Sequence, residues 1–253
     1  MSVILALFLG LVQGLTEFLP VSSSGHLMLF QHLFSLPENM LLFNIILHLA
    51  TLGAVVVVFR RRIWQLVRHP FNKTNLCLLI TTAITCLFVV LFNDFVEKTM
   101  TYKVLPFTFM VTAVLLFVTT ICAKKGARPE KHITFKSAVA TGLAQSVAIM
   151  PGISRSGSTI AVALLTGTER ARAAEFSFLM SIPVIVASFV YEIIKSGGEV
   201  QFQFAPTAVA FIAAFLSGIF AIRVMLAVVA RVKLHWFGVY LVVLSVVCLF
   251  LVF

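Results

Sequence analysis

Six uninterrupted apolar stretches constrain this chain more than anything else in it; they run roughly from 40 to 59, 76 to 92, 104 to 123, 176 to 194, 206 to 230 and 236 to 253. Each is close to the ~20 residues a helix needs to cross a hydrocarbon layer about 30 Å thick. With 60% hydrophobic residues, 11% charged residues and a mean hydropathy of +1.08, the 253-residue chain has too little polar surface to wrap a core in water. The expectation is an all-α, polytopic membrane protein built as a single domain over 1–253, with membrane lipids as its solvent.

The net charge of +10 would suggest a nucleic-acid partner in a soluble protein. Here the cations crowd into a few short loops, so no nucleic acid is expected. Alternating the loops between sides gathers Arg60, Arg61, Arg62, Arg68, Lys73, Lys124, Lys125, Arg128, Lys131, Lys136, Arg170, Arg172, Arg231 and Lys233 against Lys98, Lys103 and Lys195. By the positive-inside rule the crowded side is cytoplasmic. Both termini then face outward, provided that the segments before residue 40 and between 137 and 169 each cross an even number of times. Cys77, Cys86, Cys122 and Cys248 stand alone in apolar sequence and read as packing residues. The opening MSVILALFLG lacks a charged start and a cleavage site, so it is expected to stay in the chain.

The two remaining segments each hold a polar Ser/Gly/Pro loop between short apolar arms. In the second, arms near 137 to 150 and 157 to 166 reach only about 21 Å and about 15 Å at the helical rise, short of a crossing. That spacing predicts a re-entrant helix hairpin. The first, with arms near 2 to 19 and 24 to 36, is ambiguous by length. A shift of 132 residues settles it by aligning Gly10 with Gly142, Leu11 with Leu143, Gln13 with Gln145, Ser22 with Ser154, Ser24 with Ser156 and Gly25 with Gly157. The chain therefore divides into repeat 1 (1–123), a cytoplasmic linker (124–136) and repeat 2 (137–253), each repeat a hairpin plus three transmembrane helices. The odd number of crossings makes this an inverted-topology repeat and lets the hairpin tips meet near the midplane.

The first tip brings Glu17, Ser22, Ser23, Ser24, Gly25 and His26 together, with Gln13 one helical turn before Glu17 on the same face. Ionisable groups at membrane depth are costly and mark functional sites by default. The second tip, Pro151-Gly152-Ile153-Ser154-Arg155-Ser156-Gly157-Ser158-Thr159, has small residues, hydroxyls and one guanidinium at a helix start, which suits an anion such as phosphate. Duller tasks fit the same residues. Ser22, Ser23 and Ser24 suit helix capping; Glu17 and His26 suit a structural hydrogen bond; Arg155 suits an anchor on backbone carbonyls. His32, His48, His69, His132 and His235 are assigned no catalytic role, and Glu175 and Glu192 read as helix-end or interhelical contacts. The run Arg60-Arg61-Arg62 reads as a topology anchor first and a lipid-headgroup contact second. On these residues alone three classes stay open: an enzyme, a lipid flippase or ion-coupled transporter using the same midplane site, and an inert structural subunit.

The chain resembles the undecaprenyl-diphosphate phosphatase family, which is associated with bacitracin resistance. The family's Glu/Gln-x-x-x-Glu signature matches Gln13 and Glu17 and continues to Gly25-His26, and its Pro-Gly-x-Ser-Arg-Ser-x-x-Thr signature matches Pro151 to Thr159 without a gap. Agreement extends to Glu175-Phe176-Ser177-Phe178-Leu179 in the fourth span. The resemblance implies hydrolysis of undecaprenyl diphosphate to undecaprenyl phosphate and inorganic phosphate, which recycles the cell-wall lipid carrier. It also implies a site open to the outer side of the bacterial cytoplasmic membrane, and a divalent cation, Mg or Ca, at Glu17 with Gln13. Many members carry Glu at the first position; Gln13 can coordinate a cation but cannot act as a base. On this reading Ser23 is the preferred nucleophile, His26 takes its proton, Glu17 orients His26 or binds the cation, and Arg155 holds the terminal phosphoryl group. Ser22, Ser24, Gly25, Ser154, Ser156, Gly157 and Thr159 complete the phosphate-binding shell. Attack by His26 or by water stays open, and a homo-oligomer is compatible with the sequence.

Overall fold

A computed structural model describes residues 1–37, 40–123, 133–195, 203–229 and 234–252. The linker cations Lys124, Lys125, Arg128 and Lys131, together with His132, Arg231 and Lys233, lie outside the described residues. So does the Glu192 side chain.

Among the described residues the chain forms α-helices and one short 3-10 turn, Tyr102–Val104. The first half contains α1 (Val3–Phe18), α2 (Ser23–Leu33), α3 (Leu41–Arg68), α4 (Lys73–Leu91), α5 (Asn93–Thr99) and α6 (Leu105–Cys122). The second contains α7 (Phe135–Val147), α8 (Arg155–Leu165), α9 (Arg170–Lys195), α10 (Phe204–Val229) and α11 (His235–Val252). Among the described residues six helices are long and apolar enough to cross a membrane: α3, α4, α6 with its leading turn, α9, α10 and α11. They match the six apolar stretches of the sequence. The chain is a multi-pass membrane protein.

Local chemistry sets the ends. Ser2, Asn72 and Thr134 cap α1, α4 and α7 by accepting a backbone N–H with their side chains. Pro106 stands in the first turn of α6, where its missing N–H costs nothing. One boundary differs from the sequence reading: α3 does not end near Phe59 but bends there (φ −97°, ψ 15°) and continues to Arg68. Its 28 residues extend about 42 Å, more than the hydrocarbon needs, so Arg60, Arg61 and Arg62 ride on a helix and not in a loop. Arg62 meets Glu175 of α9 at 2.8 Å, and Arg172 meets the same carboxylate at 2.8 Å, which makes Glu175 the interhelical contact that was expected.

The hairpin arms α1, α2, α7 and α8 hold 16, 11, 13 and 11 residues, so each falls short of a 30 Å crossing. The first arms, α1 and α7, share a burial pattern. Val3, Leu7, Leu11 and Leu15 of α1 are exposed, and so are Phe135, Val139, Leu143 and Val147, which the 132-residue shift places opposite them. Ala6 and Gln13 are buried, as are Ala138 and Gln145. Apolar stripes of this size belong against lipid. Packing is reciprocal as well: α1 lies on α10, the second span of the other half, α7 lies on α4, and the third spans α6 and α11 lie on each other. Small residues permit these approaches. A Cβ on Gly10 would collide with the Ala210 backbone, and one on Gly142 would stand 3.1 Å from Thr81 Cα. The main core joins both halves through Phe18, Val21, Phe109, Ile160, Phe178 and Ile222. The rings of Phe18 and Phe178 meet edge to face at 5.4 Å.

Of the four free cysteines, Cys77 and Cys248 are buried and pack as expected, whereas Cys86 and Cys122 are exposed.

Candidate active site

The site forms where the two hairpin tips touch, and both tips are built alike. Ser22 caps α2 by accepting the Gly25 N–H at 3.3 Å, and Ser154 caps α8 by accepting the Gly157 N–H at 3.0 Å. Of the three serines weighed as caps from the sequence, Ser22 takes that role, and Ser154 takes the matching one in the second hairpin. Each cap also reaches the serine two residues on, Ser24 at 3.4 Å and Ser156 at 3.3 Å. The next residue opens the helix in both halves. It is Ser23 in the first and Arg155 in the second, so equivalent backbone positions present a hydroxyl and a guanidinium.

Glu17, near the end of α1, connects them. Ser23 Oγ donates to Glu17 Oε2 at 2.5 Å, Gln13 Nε2 donates to the same oxygen at 3.0 Å, and Arg155 Nη2 donates to Oε1 at 2.5 Å. The carboxylate is buried, with 5% of its side chain exposed, so removing the guanidinium would strip it of its hydrogen-bonded countercharge. Arg155 Nη1 also donates to the Ser177 carbonyl of α9 at 3.2 Å, which gives it the carbonyl anchor considered from the sequence in addition to its carboxylate partner.

The tips are tied to each other and to the bundle. Ser156 Oγ donates to the Leu19 carbonyl at 2.9 Å, directly linking second hairpin to first. Thr112 Oγ1 on α6 donates to the Gly152 carbonyl at 3.3 Å and accepts the Ser154 N–H at 3.1 Å. Thr159 Oγ1 bonds back to the Arg155 carbonyl at 2.8 Å and pairs with Ser177 Oγ at 2.6 Å. Gly152 has φ +87°, a conformation open to glycine, and a Cβ there would strike Thr108. Ser22 holds φ +67° without being glycine, a strained backbone that its hydrogen bonds maintain.

His26 is placed differently from the sequence expectation. Its Nδ1–H donates to the Ser22 carbonyl at 2.7 Å, and its Nε2 accepts the Tyr240 hydroxyl from α11 at 2.6 Å. Both ring nitrogens are thus engaged, and neither partner is Ser23 or Glu17. The reason is the helix itself: His26 stands four residues after Ser22, so its ring folds back over the cap, while Ser23 faces α1. Sequence reasoning missed three residues. Tyr240 and Ser177 are two, and His48 is the third, its Nε2 lying 3.5 Å from Glu17 Oε2. The signal for His48 was an ionisable residue inside a span, with polar Asn44 and Thr51 one turn to either side.

For a cation, the relevant donors are oxygens. Gln13 Oε1 is buried with no hydrogen-bond partner, beside the Glu17 carboxylate. Among the described residues no group of three or more His, Cys, Asp or Glu is positioned to hold a metal ion. Gln13, Glu17 and the neighbouring hydroxyls fit a hard cation that takes one carboxylate, neutral oxygens and phosphate oxygens.

Fold and site together define a multi-pass membrane protein with a buried polar centre assembled from two helical hairpins. The chain belongs to the bacitracin resistance protein BacA family, whose model matches residues 6–247. It is similar to a protein of Carboxydothermus hydrogenoformans named undecaprenyl-diphosphatase, with 43% identity over 97% of this chain and 96% of that one. Proteins of the same name from Treponema denticola and Korarchaeum cryptofilum are 40% and 35% identical, covering 97% and 98% of this chain and 96% and 99% of theirs.

Proposed function

We propose that this chain hydrolyses undecaprenyl diphosphate to undecaprenyl phosphate and inorganic phosphate. The observation that carries the reading is the Glu17 carboxylate, bonded at once to the Ser23 hydroxyl on one hairpin and the Arg155 guanidinium on the other. A hydroxyl is a weak nucleophile until a base takes its proton, and the base is here in hydrogen-bond contact. Family membership and the names of the relatives support the same substrate and reaction.

Arg155 turns part of its guanidinium from Glu17 to the terminal phosphoryl group and neutralises charge developing there. Ser23 Oγ attacks that phosphorus as Glu17 takes the Ser23 proton. The bridging P–O bond breaks, and undecaprenyl phosphate leaves as an anion that needs no proton. Water then attacks the phosphoseryl group, Glu17 returns its proton to Ser23 Oγ, and dihydrogen phosphate departs. Glu17 thereby fills the role that the sequence reading gave to His26, which instead fixes the Ser22 carbonyl and the start of α2. A bound divalent cation, Mg or Ca, held by Glu17 and Gln13, would supply further neutralisation of the diphosphate charge. Ser24, Gly25, Ser156, Gly157 and Thr159 line the two helix starts on which the phosphate rests, with Ser22 and Ser154 keeping those starts in shape.

The setting is the cytoplasmic membrane with the site open to its outer side. Two short-armed hairpins, each followed by three spans, support an inverted repeat whose tips enter from opposite faces, and the Arg-rich end of α3 with Arg170 and Arg172 supports a cytoplasmic location for that end.

The test is purified protein given the C55 diphosphate. Wild type releases inorganic phosphate, Ser23→Ala does not, and rapid quenching of wild type yields phosphate on Ser23. Binding or translocation of the lipid without phosphate release would favour a transporter instead.

A further inference from the structure

His48 belongs to neither signature, yet its ring faces the carboxylate at the centre of the site. We infer that His48 is a positioning residue for Glu17, keeping the carboxylate aimed at Ser23 when Arg155 turns to the phosphoryl group; the inference rests on the hydrolytic reading above.

The ring is held before it is used. Its Nδ1–H donates to the Asn44 carbonyl at 2.7 Å, one turn back on α3, so Nε2, 3.5 Å from Glu17 Oε2, meets the carboxylate as the second N–H of the imidazolium form. Asn44 is in turn fixed to α2, because Gln31 Nε2 donates to Asn44 Oδ1 at 2.6 Å. On the other side Thr51 Oγ1 donates to the His48 carbonyl at 2.9 Å. The imidazole is therefore fixed by its own helix, which the Gln31–Asn44 bond ties to α2 one turn away.

The need for such a brace follows from how the partners of Glu17 are shared. Oε1 has Arg155, and Oε2 has the Ser23 hydroxyl, the Gln13 amide and His48 Nε2. Nη1 of Arg155 is already directed at the Ser177 carbonyl, so an arriving phosphoryl group competes with Glu17 for Nη2. As that donor turns away, the carboxylate loses its bonded guanidinium and its torsion loosens. Gln13 and His48, approaching from α1 and α3, then determine whether Oε2 stays on Ser23. A displacement of a fraction of an ångström at a reacting group is enough to slow a reaction severely.

The experiment compares wild type, His48→Leu and His48→Gln on the C55 diphosphate over a range of substrate concentrations, with thermal unfolding measured on each. His48→Leu is expected to lose kcat roughly 10- to 100-fold, the effect of one lost contact to a charged group, with KM within about twofold of wild type. His48→Gln, whose side-chain amide still offers a donor to Oε2, recovers most of that loss. If His48→Leu does not fold, His48→Asn replaces it, because its amide is too short to reach. Wild-type kcat in the non-reaching variant overturns the inference. So does a loss confined to KM, or a His48→Gln enzyme that unfolds like wild type and is as slow as His48→Leu. Absence of phosphate release from wild type itself removes the hydrolytic reading, and is distinguished from these outcomes by being read on the unaltered chain.

Discussion

Exchanging Arg155 for Lys separates what the guanidinium does for the fold from what it does for the reaction. Arg155 spans two acceptors, the Glu17 carboxylate at 2.5 Å and the Ser177 carbonyl at 3.2 Å. A lysine keeps the charge on a single ammonium, so it can stay on Glu17, but it cannot also hold the carbonyl and a phosphoryl oxygen. For the fold, the loss is one hydrogen bond, about 1 kcal/mol. For the reaction, the loss is a donor aimed at developing charge, which costs about 2.7–4 kcal/mol, or ~10²–10³ in kcat. Arg155→Ala should differ in kind, because Glu17 would then be buried without its hydrogen-bonded guanidinium, at about 3–5 kcal/mol of stability. The assay is phosphate release from the C55 diphosphate in detergent, paired with thermal unfolding of each purified variant. Arg155→Lys should unfold close to wild type and turn over at least ~100-fold more slowly. A lysine enzyme within about threefold of wild-type kcat, or one that unfolds as early as Arg155→Ala, would refute the division of labour.

Three further outcomes follow from the geometry. Gly10→Ala should lower the unfolding temperature more than Gly142→Ala, since the first Cβ meets fixed backbone at Ala210 whereas the second presses partly on the movable side chain of Ile84; the reverse order in thermal unfolding would contradict the packing. Tyr240→Phe removes the donor to His26 Nε2 from a ring stack at 5.8 Å, and should cost about 1–3 kcal/mol of stability while lowering kcat less than about tenfold, because His26 acts on the Ser22 carbonyl and not on the nucleophile. Chelation should abolish turnover and added Mg or Ca should restore it, with Gln13→Ala needing more cation for half-activity; an unchanged cation titration would remove Gln13 from the ligand set.

Much of the fold was legible because membranes impose lengths. Six runs of sufficient length gave six spans, and arms too short to cross gave hairpins, with the match of Gly10 to Gly142 and Ser22 to Ser154 indicating that the two hairpins share one plan. The end of α3 was not legible, since the apolar run stops near Phe59 while the helix, free to leave the hydrocarbon, continues through its arginines to Arg68. Of the residues that meet at the hairpin tips, Gln13, Glu17, Ser23 and Arg155 stood out in the sequence because each sits in a dense polar motif. Tyr240 and His48 did not, because each is a solitary polar residue in an apolar helix, and its meaning comes from a partner far along the chain: 214 residues separate Tyr240 from His26. The partner of Ser23 was also misjudged. The resemblance paired Ser23 with His26, but the His26 ring bonds back to the Ser22 carbonyl and across to Tyr240, while Ser23 bonds to Glu17 on α1.

What remains is whether one buried carboxylate turns two separate hairpin tips into a single reacting centre. Replacing it by its neutral isostere, Glu17→Gln, keeps the shape while removing both the base for Ser23 and the countercharge for Arg155. Phosphate release from the C55 diphosphate should then fall by at least ~100-fold in a protein that still folds. Turnover by folded Glu17→Gln enzyme at close to the wild-type rate would contradict the account.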